Sequence, residues 1–242
     1  MSTILGQYIQ EGKVAKIADD LYVGGDNIAE GFSTWAEILY KLHENGVHLN
    51  APKTSIAPTS TDLLGWIWNN GTLTLGAHKI SPLATCDPPA TVTALRSFIG
   101  SYKVFNRVLR GCSQYMEGLE SVIAGKQKRD KIIWSESLLQ CFHKAQAALS
   151  RTATVTLARP DDQIIITHDG AKAQPGIGAV KYLVRNGEIK LGGFFSAKLK
   201  AHHARWWPCE IEALSIATSV RHFGPYLRES VTKSQILTDN EP

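Results

Sequence analysis

The sequence lacks a long apolar run, a paired-cysteine motif and an internal repeat. No stretch approaches the run of about 20 apolar residues that crosses a bilayer, and the start, MSTILGQYIQEGK, has no basic flank before an apolar core. The four cysteines are scattered and form no C-x-x-C pair, which argues against a zinc site or a disulfide framework. We therefore expect an intracellular protein with reduced thiols and no membrane partner.

Composition and net charge leave the function open. Hydrophobic residues make up 43% and charged residues 20% of the 242-residue chain, which is typical of a globular protein with one large domain or two to three small ones. The net charge of +4 permits a polyanionic partner without requiring one. The positions of the charged residues therefore carry more information than their sum.

Two adjacent carboxylates, Asp19 and Asp20, lie near the start of the chain in the stretch KVAKIADDLYVGG. The β-forming residues on both sides predict a hairpin over residues 13–23, with the acidic pair near its turn. Neighbouring carboxylates at a turn can direct their oxygens at one cation, and oxygen ligands of this kind suit magnesium. An ordinary polar turn is the alternative explanation of the same two residues.

Three further elements are predicted before residue 76. Apolar residues at helical spacing predict a helix over residues 32–43, and the Asn-Gly pair at 45–46 is a stop signal. The stretch GVHLNAPKTSIAP predicts a strand followed by a proline-containing loop. The runs LLGWIW and TLTLG, joined by Asn-Asn-Gly at residues 69–71, predict a second hairpin.

A long amphipathic helix is predicted over residues 91–109. Its apolar residues form one stripe, and basic residues form another face because their offsets return to nearly the same angle at about 100° per residue. These basic residues are Arg96, Lys103, Arg107 and Arg110. Such a face suits the phosphates of a nucleic acid, whereas a solvated helix face is the commoner alternative. A basic loop over residues 125–131 and a second amphipathic helix over residues 135–149 follow.

Three carboxylates are predicted to converge in the last third of the chain. After a change of composition at residues 158–163, three strand-like runs, a helix over residues 208–222 and a fourth strand predict a β-β-β-α-β meander with one crossover. Asp169 ends the first strand, Glu212 lies in the first turns of the helix, and Asp239 ends the fourth strand. Converging carboxylates repel unless a cation lies between them, so convergence implies a divalent metal. Alternatively, Asp239 is a turn residue, and Glu210 and Glu212 complement the helix dipole near its N-terminus.

These motifs, in this order, resemble the middle of a retroelement pol polyprotein of the Pao-like or gypsy-like kind. The Y-x-D-D motif of reverse transcriptases is similar to IADDLYVGGDN, and the palm and primer-grip stretch of long-terminal-repeat retrotransposons is similar to LYKLHENGVHLNAPKTSIAPTSTDLLGWIWNNGTL. The thumb of that family resembles PPATVTALRSFIGSYKVFNRVLRGC, and its connecting helix resembles IIWSESLLQCFHKAQAAL. The acidic motifs of the attached ribonuclease H domain resemble ITHDGAKAQPGIGAV, GGFFSAKLKAHHARWWPCEIEALSIATSVRHFGPYL and ILTDNEP.

The resemblance implies an α+β, or mixed α/β, fold in three parts. Residues 1–85 would form the end of the reverse transcriptase palm, with β-hairpins and a helix. Residues 86–158 would form the helical thumb and connection. Residues 159–242 would form a ribonuclease H-like β-β-β-α-β domain, truncated before its final helices.

The resemblance also implies roles for the carboxylates. Asp19 and Asp20 match the acidic pair of the polymerase, and Asp169, Glu212 and Asp239 match three ribonuclease carboxylates. The second glutamate of the helix is chosen because the family helix reads E-x-E-A-L. Both sites would hold Mg²⁺ and use two-metal chemistry.

Nucleic-acid contacts are implied for a second group of residues. Gly65, in LLGW, matches the primer-grip turn. The basic face of the predicted thumb helix would contact phosphates and so position a duplex without reading its sequence. The implied partner is an RNA–DNA hybrid or a primer–template duplex.

The sequence departs from the family pattern in ways that bear on activity. Ile17 stands where the family usually has an aromatic residue, only eighteen residues precede Asp19, and three follow Asp239. We therefore expect an internal fragment without the N-terminal polymerase part of the polyprotein, or a decayed copy, with little or no polymerase activity alone. The parent would be an RNA-directed DNA polymerase and hybrid endonuclease in the cytoplasm or in a virus-like particle. A non-catalytic nucleic-acid-binding or structural remnant is the competing hypothesis.

Overall fold

The computed structural model describes residues 2–25, 27–171 and 176–238. Helices and several β-sheets alternate along the chain, so the predicted mixed α+β fold class is confirmed. The chain divides into two compact units, Met1–Thr59 and Ser60–Pro242. The three-part division with boundaries after residues 85 and 158 remains a prediction.

The first unit packs two helices against one hairpin. Its elements are α1 (Ser2–Gln10), β1 (Val14–Ile17), β2 (Asp20–Val23), α2 (Ile28–Glu44) and a 3-10 turn (Ala51–Lys53). Its buried side chains are Leu5, Tyr8, Val14, Ile38 and Leu42. The hairpin and the helix were predicted. Asn27 begins α2 because its side chain accepts a hydrogen bond from the Glu30 N–H at 2.9 Å, and Gly46, at φ +67°, ends it.

The strand predicted within residues 46–58 is wrong. Residues 47–50 form no strand, and the chain then makes a 3-10 turn that contains Pro52. Proline cannot donate a backbone hydrogen bond to a sheet, and β1 and β2 form a sheet of two strands only. A strand at this position would therefore have lacked a partner within its unit.

The second unit begins with a four-stranded antiparallel sheet. Its strands are β3 (Ser60–Leu63), β4 (Trp66–Asn69), β5 (Thr72–Leu75) and β6 (Val155–Thr156), in that order. The turns at Leu64-Gly65 and Asn70-Gly71 place both of their residues at positive φ, the conformation of tight hairpin turns. The hairpin predicted at the second turn is confirmed. The residue pattern alone predicted LLGWIW as one strand, and the turn at Gly65 was implied only by the resemblance.

Four helices pack around the largest core of the chain. They are α3 (Ala77–Thr85), α4 (Val92–Lys103), α5 (Cys112–Ile123) and α6 (Glu136–Ala148). The apolar stripe predicted for α4 is buried as expected, and the Phe142 ring of α6 lies 4.9 Å from the Phe98 ring. However, α4 ends at Lys103 and a 3-10 turn covers Val104–Arg107, so the predicted helix to residue 109 is too long.

The last part of the chain forms a second four-stranded sheet covered by one helix. The elements are β7 (Gln163–Ala171), β8 (Gly176–Arg185), β9 (Glu188–Lys198), a 3-10 turn (Ala201–Arg205), α7 (Pro208–Glu229) and β10 (Gln235–Leu237). The strand order is β10-β7-β8-β9, with β10 parallel to β7 and the other pairs antiparallel. The predicted β-β-β-α-β order is confirmed. Strict alternation places Ile164, Ile166 and His168 of β7 on the buried face toward α7.

A buried ion pair fixes the segment at residues 158–163. Asp162 is 1% exposed and accepts two hydrogen bonds from the Arg185 guanidinium, both at 2.7 Å, and one from the Arg159 N–H at 2.8 Å. Its backbone carbonyl accepts hydrogen bonds from the hydroxyls of Ser230 and Thr232. One aspartate therefore ties the start of β7 to the end of β8 and to the chain after α7.

None of the helices in the described ranges is long and apolar enough to cross a membrane.

Candidate functional site

Two of the predicted ribonuclease carboxylates come from the junction of β7 and α7. Ser215 of α7 donates a hydrogen bond to the backbone carbonyl of Asp169 at 3.1 Å. The next N–H along β7, that of Gly170, donates to Glu212 Oε1 at 3.1 Å. Asp169 and Glu212 therefore project from backbone segments that are joined directly to each other, and the Asp169 side chain is exposed.

Gly170 allows this close approach. A Cβ atom at this position would lie 2.9 Å from Ile211 Cγ2 and 3.2 Å from the Ile211 carbonyl carbon and oxygen. Separations this short require the helix backbone to move. The H-D-G sequence at residues 168–170 thus supplies a carboxylate and, directly after it, the space for the helix that carries the second carboxylate.

The other oxygen of Glu212 faces a histidine that was not predicted as part of the site. His168 Nδ1 lies 3.3 Å from Glu212 Oε2, and the His168 side chain is fully buried. Both imidazole nitrogens, Glu212 Oε2 and Ser219 Oγ have no hydrogen-bond partner among the described residues. The alternation of β7 could have identified His168, because it shares the inward parity of Ile164 and Ile166.

The predicted third carboxylate, Asp239, lies outside the described residues. Strand β10, which precedes it, runs parallel to β7 and pairs Leu237 with Thr167. Within the described ranges, no group of three or more His, Cys, Asp or Glu side chains could hold a metal ion. Two carboxylates, one with an unpartnered oxygen, fit an oxygen-ligated divalent cation only if a further ligand joins them.

The predicted cationic face is not one continuous surface. Residues at these offsets share one face only where the chain is α-helical, and α4 ends at Lys103. Arg96 donates a hydrogen bond to the Lys126 carbonyl at 3.1 Å, and Lys103 forms a 2.5 Å ion pair with Glu120. Beyond the helix, Arg107 lies against Gly193 of β9.

Arg110 lies in the same groove as Asp169. The groove has a volume of about 630 Å³ and runs between the segment from Leu109 to Tyr115 and strands β7 to β9. Arg151, which was not singled out from the sequence, also lines it. The structure therefore brings one predicted nucleic-acid contact and one predicted catalytic carboxylate to a shared surface.

The first acidic pair lies at a tight turn, as predicted. Ala18 (φ +51°) and Asp19 connect the two strands, and Ile17 pairs with Asp20 across the ladder. Both carboxylates are exposed, and neither has a hydrogen-bond or ion-pair partner within the described part of the chain. This geometry is open to a cation but also describes an ordinary polar turn, so a polymerase role for the pair remains a prediction.

Gly65, the predicted primer-grip residue, occupies the turn between β3 and β4 at φ +83°. Its N–H donates to Asp62 Oδ1 at 2.7 Å, and its carbonyl accepts from the Gly76 N–H at 3.0 Å. A Cβ atom there would lie 2.1 Å from Lys79 Cε, so the lysine stem covers the turn. A nucleic-acid role for Gly65 remains a prediction.

Comparisons with known proteins bear on this arrangement. Residues 134–235 match the family described as the RNase H-like domain found in reverse transcriptase. The Tf2-3 transposon polyprotein of Schizosaccharomyces pombe is 22% identical over 241 residues, which cover 99% of this chain, and the Tf2-7 polyprotein of the same yeast is 21% identical over the same length. Over almost its whole length the chain is similar to part of these retrotransposon polyproteins, and its last part resembles a reverse transcriptase RNase H-like domain. It spans only 18% of the length of these polyproteins.

Solved structures match the fold of this chain. A foamy viral protease-reverse transcriptase in complex with double-stranded DNA matches 100% of the chain with a TM-score of 0.84 at 12% identity, over 41% of that protein. A second structure, the foamy viral enzyme in complex with an RNA/DNA hybrid, matches with a TM-score of 0.83 at 12% identity, over 32% of that protein. The chain therefore has the fold of a segment of these solved proteins.

Proposed function

We propose that this chain is a magnesium-dependent ribonuclease that cuts the RNA strand of an RNA–DNA hybrid, through its predicted ribonuclease H domain at residues 159–242. The observation that carries this proposal is the junction at which Gly170 and Ser215 hold Asp169 and Glu212 on adjoining backbone. The match of residues 134–235 to the RNase H-like domain of reverse transcriptases supports it.

The carboxylates would hold the metal ions, with Asp239 as the predicted third ligand. When bound, a pair of Mg²⁺ ions would activate the attacking water and stabilise the leaving oxygen. The Gly170 N–H fixes one oxygen of Glu212, and His168 stands beside the other. Asp169, exposed on β7, supplies a negative charge at the end of the groove that Arg110 also lines.

A nucleic-acid duplex would lie along the groove and the thumb. Arg110 faces this groove, and the exposed Arg96, Lys103 and Arg107 belong to the preceding segment. Their charges suit phosphate contacts that position a duplex without reading its sequence. The solved complexes of the foamy viral enzyme with double-stranded DNA and with an RNA/DNA hybrid support this class of partner.

We propose that the polymerase roles are exercised within a longer polyprotein, a proposal supported by the match of this chain to 18% of the length of the Tf2-3 polyprotein. We propose that Asp19 and Asp20 contribute to the metal site of its polymerase, and that Gly65 belongs to its primer grip. The exposed acidic pair at the turn and the covered hairpin turn of Gly65 support these roles. We propose an intracellular location, in the cytoplasm or in a virus-like particle, and the similarity to transposon polyproteins supports it.

Strand-selective cleavage tests the proposal. The purified chain is incubated with an end-labelled RNA–DNA hybrid and, in parallel, with duplex DNA of the same sequence, with Mg²⁺ or with EDTA. We expect the RNA strand of the hybrid to be cut with Mg²⁺ only, and both DNA strands to remain intact. Absence of cleavage at every Mg²⁺ concentration would instead support a non-catalytic remnant.

A further inference from the structure

A buried lysine in the ribonuclease H-like part lacks an acidic partner. Lys181 of β8 is 2% exposed, and its Nζ lies 3.2 Å from the centroid of the Tyr226 ring and 5.6 Å from that of Phe223. None of the ion pairs within the described residues includes Lys181. The aromatic faces stabilise the ammonium group, but they leave its positive charge uncompensated.

Two further basic side chains lie close to Lys181. In the β8–β9 ladder Lys181 pairs with Gly193, and a Cβ atom at Gly193 would lie 3.4 Å from the Arg107 carbonyl oxygen and 3.6 Å from Arg107 Cγ. On α7, the His222 ring lies 4.9 Å from the Phe223 ring, whose centroid is 5.6 Å from Lys181 Nζ, and 4.5 Å from the Phe195 ring of β9. Arg107 and His222 are both exposed, so two accessible basic residues neighbour the buried lysine.

Like charges at these neighbouring positions repel one another. Burial lowers the pKa of Lys181 to about 8, and the positive charge of Arg107 lowers it further in the same direction, against a weaker opposite effect of Asp162. Burial, Arg107 and Lys181 all lower the pKa of His222. An anion placed among the three groups would relieve this repulsion, and the groups supply N–H donors for it.

We propose that the exposed Arg107 and His222 contact a backbone phosphate of the bound nucleic-acid duplex, and that the buried Lys181 adds its positive charge from the protein interior; the three residues are here called the Lys181 cluster. The proposal rests on the proposed function, since it assumes that the chain holds a duplex. His222 follows Glu212 by ten residues of α7, which is about 15 Å along the helix axis. At about 3.4 Å per base pair this corresponds to roughly four steps of duplex, so one strand could span both sites.

Duplex binding by the full chain in EDTA tests this site without cleavage. The dissociation constant of a labelled RNA–DNA hybrid is measured against salt concentration for the parent, Arg107→Gln, His222→Gln, Lys181→Met and Arg107→Lys. We expect Arg107→Gln to weaken binding about tenfold and to reduce the salt slope by about 0.9, the value of one phosphate contact. His222→Gln and Lys181→Met should also weaken binding, whereas Arg107→Lys keeps the charge and should preserve the slope.

Arg221→Gln is the matched control. It removes an exposed charge one residue from His222 on the same helix, and it should leave affinity and slope unchanged. If Lys181→Met fails to fold, the two exposed positions decide the result. Parent-like affinity and slope in both Arg107→Gln and His222→Gln would overturn the site, while hybrid cleavage by the parent would leave the proposed ribonuclease function standing. A parent chain that binds no hybrid even at low salt would overturn both.

Discussion

Replacing Asp169 with asparagine is expected to lower the rate of RNA-strand cleavage by more than about 100-fold. Mutating a residue that only hydrogen-bonds a metal ligand already lowers metal affinity or activity by about 10–100-fold, and Asp169 is proposed as a ligand itself. The amide has nearly the shape of the carboxylate but lacks its charge. The hydrogen bond from Ser215 reaches the backbone carbonyl of residue 169, and the Gly170 N–H bond to Glu212 is also independent of this side chain. The junction should therefore keep its structure. The measurement is the initial rate of hybrid cleavage at saturating Mg²⁺.

Asp161→Asn is the matched control for this variant. Asp161 is exposed and lies in the turn before β7, away from the junction with α7. The control should cleave at the parent rate, and both variants should unfold at the same denaturant concentration as the parent. Equal cleavage by Asp169→Asn and Asp161→Asn would remove Asp169 from the catalytic site.

Replacing Asp162 with alanine should lower the free energy of unfolding by about 3–5 kcal/mol, the typical cost of breaking a buried ion pair. The substitution leaves the largely buried Arg185 guanidinium without its carboxylate, and the Arg159 N–H loses its acceptor. Urea unfolding of the full chain, followed by tryptophan fluorescence, measures the change. Asp161→Ala, which removes the exposed neighbouring carboxylate, should change the free energy by less than about 0.5 kcal/mol.

The same ion pair predicts a dependence of stability on pH. Burial alone would raise the pKa of Asp162, but the hydrogen bonds from Arg185 and Arg159 and their positive charges outweigh it and hold the pKa below its usual value. The contribution of ionised Asp162 to the free energy of unfolding is therefore fully present above its pKa in the unfolded chain, about 3.9. It is lost as the pH falls through the lower pKa of Asp162 in the folded protein. The parent should lose this part of its stability below about pH 4, whereas Asp162→Ala should lack it. Identical acid profiles of the two proteins would contradict this assignment.

Local signals predicted the elements that carry the candidate site. Asn-Gly pairs at residues 70–71 and 186–187 adopt positive φ at both positions and close the hairpins expected of them. Strand-like runs of residues predicted β7, β8 and β9, and the predicted start of α7 placed Glu212 in its first turns. These features depend on neighbours in the sequence, so the sequence contains the information needed to find them.

Features that depend on partners distant in the sequence were missed. The sequence around Asp162 does not predict its contact with Arg185, and that around His168 does not predict its contact with Glu212. Both pairs form only when separate elements pack together. The end of α4 at Lys103 is similar, since the following residues turn toward β9 rather than continuing the helix. Lys181 shares the inward parity of Ile177, Ala179 and Leu183, so its burial was readable, but its aromatic neighbours were not.

The most direct test of a metal-dependent ribonuclease site is the position of Mn²⁺, located by its anomalous scattering, in crystals of the chain with a bound hybrid. We expect an ion in contact with carboxyl oxygens of both Asp169 and Glu212, at about the 2.0–2.1 Å that Mg²⁺ would adopt, and a second ion about 4 Å away. The same map would show whether Asp239 joins them. Carboxyl groups more than about 10 Å apart, or an ion bound only elsewhere, would contradict a shared metal site, because paired ions lie only about 4 Å apart.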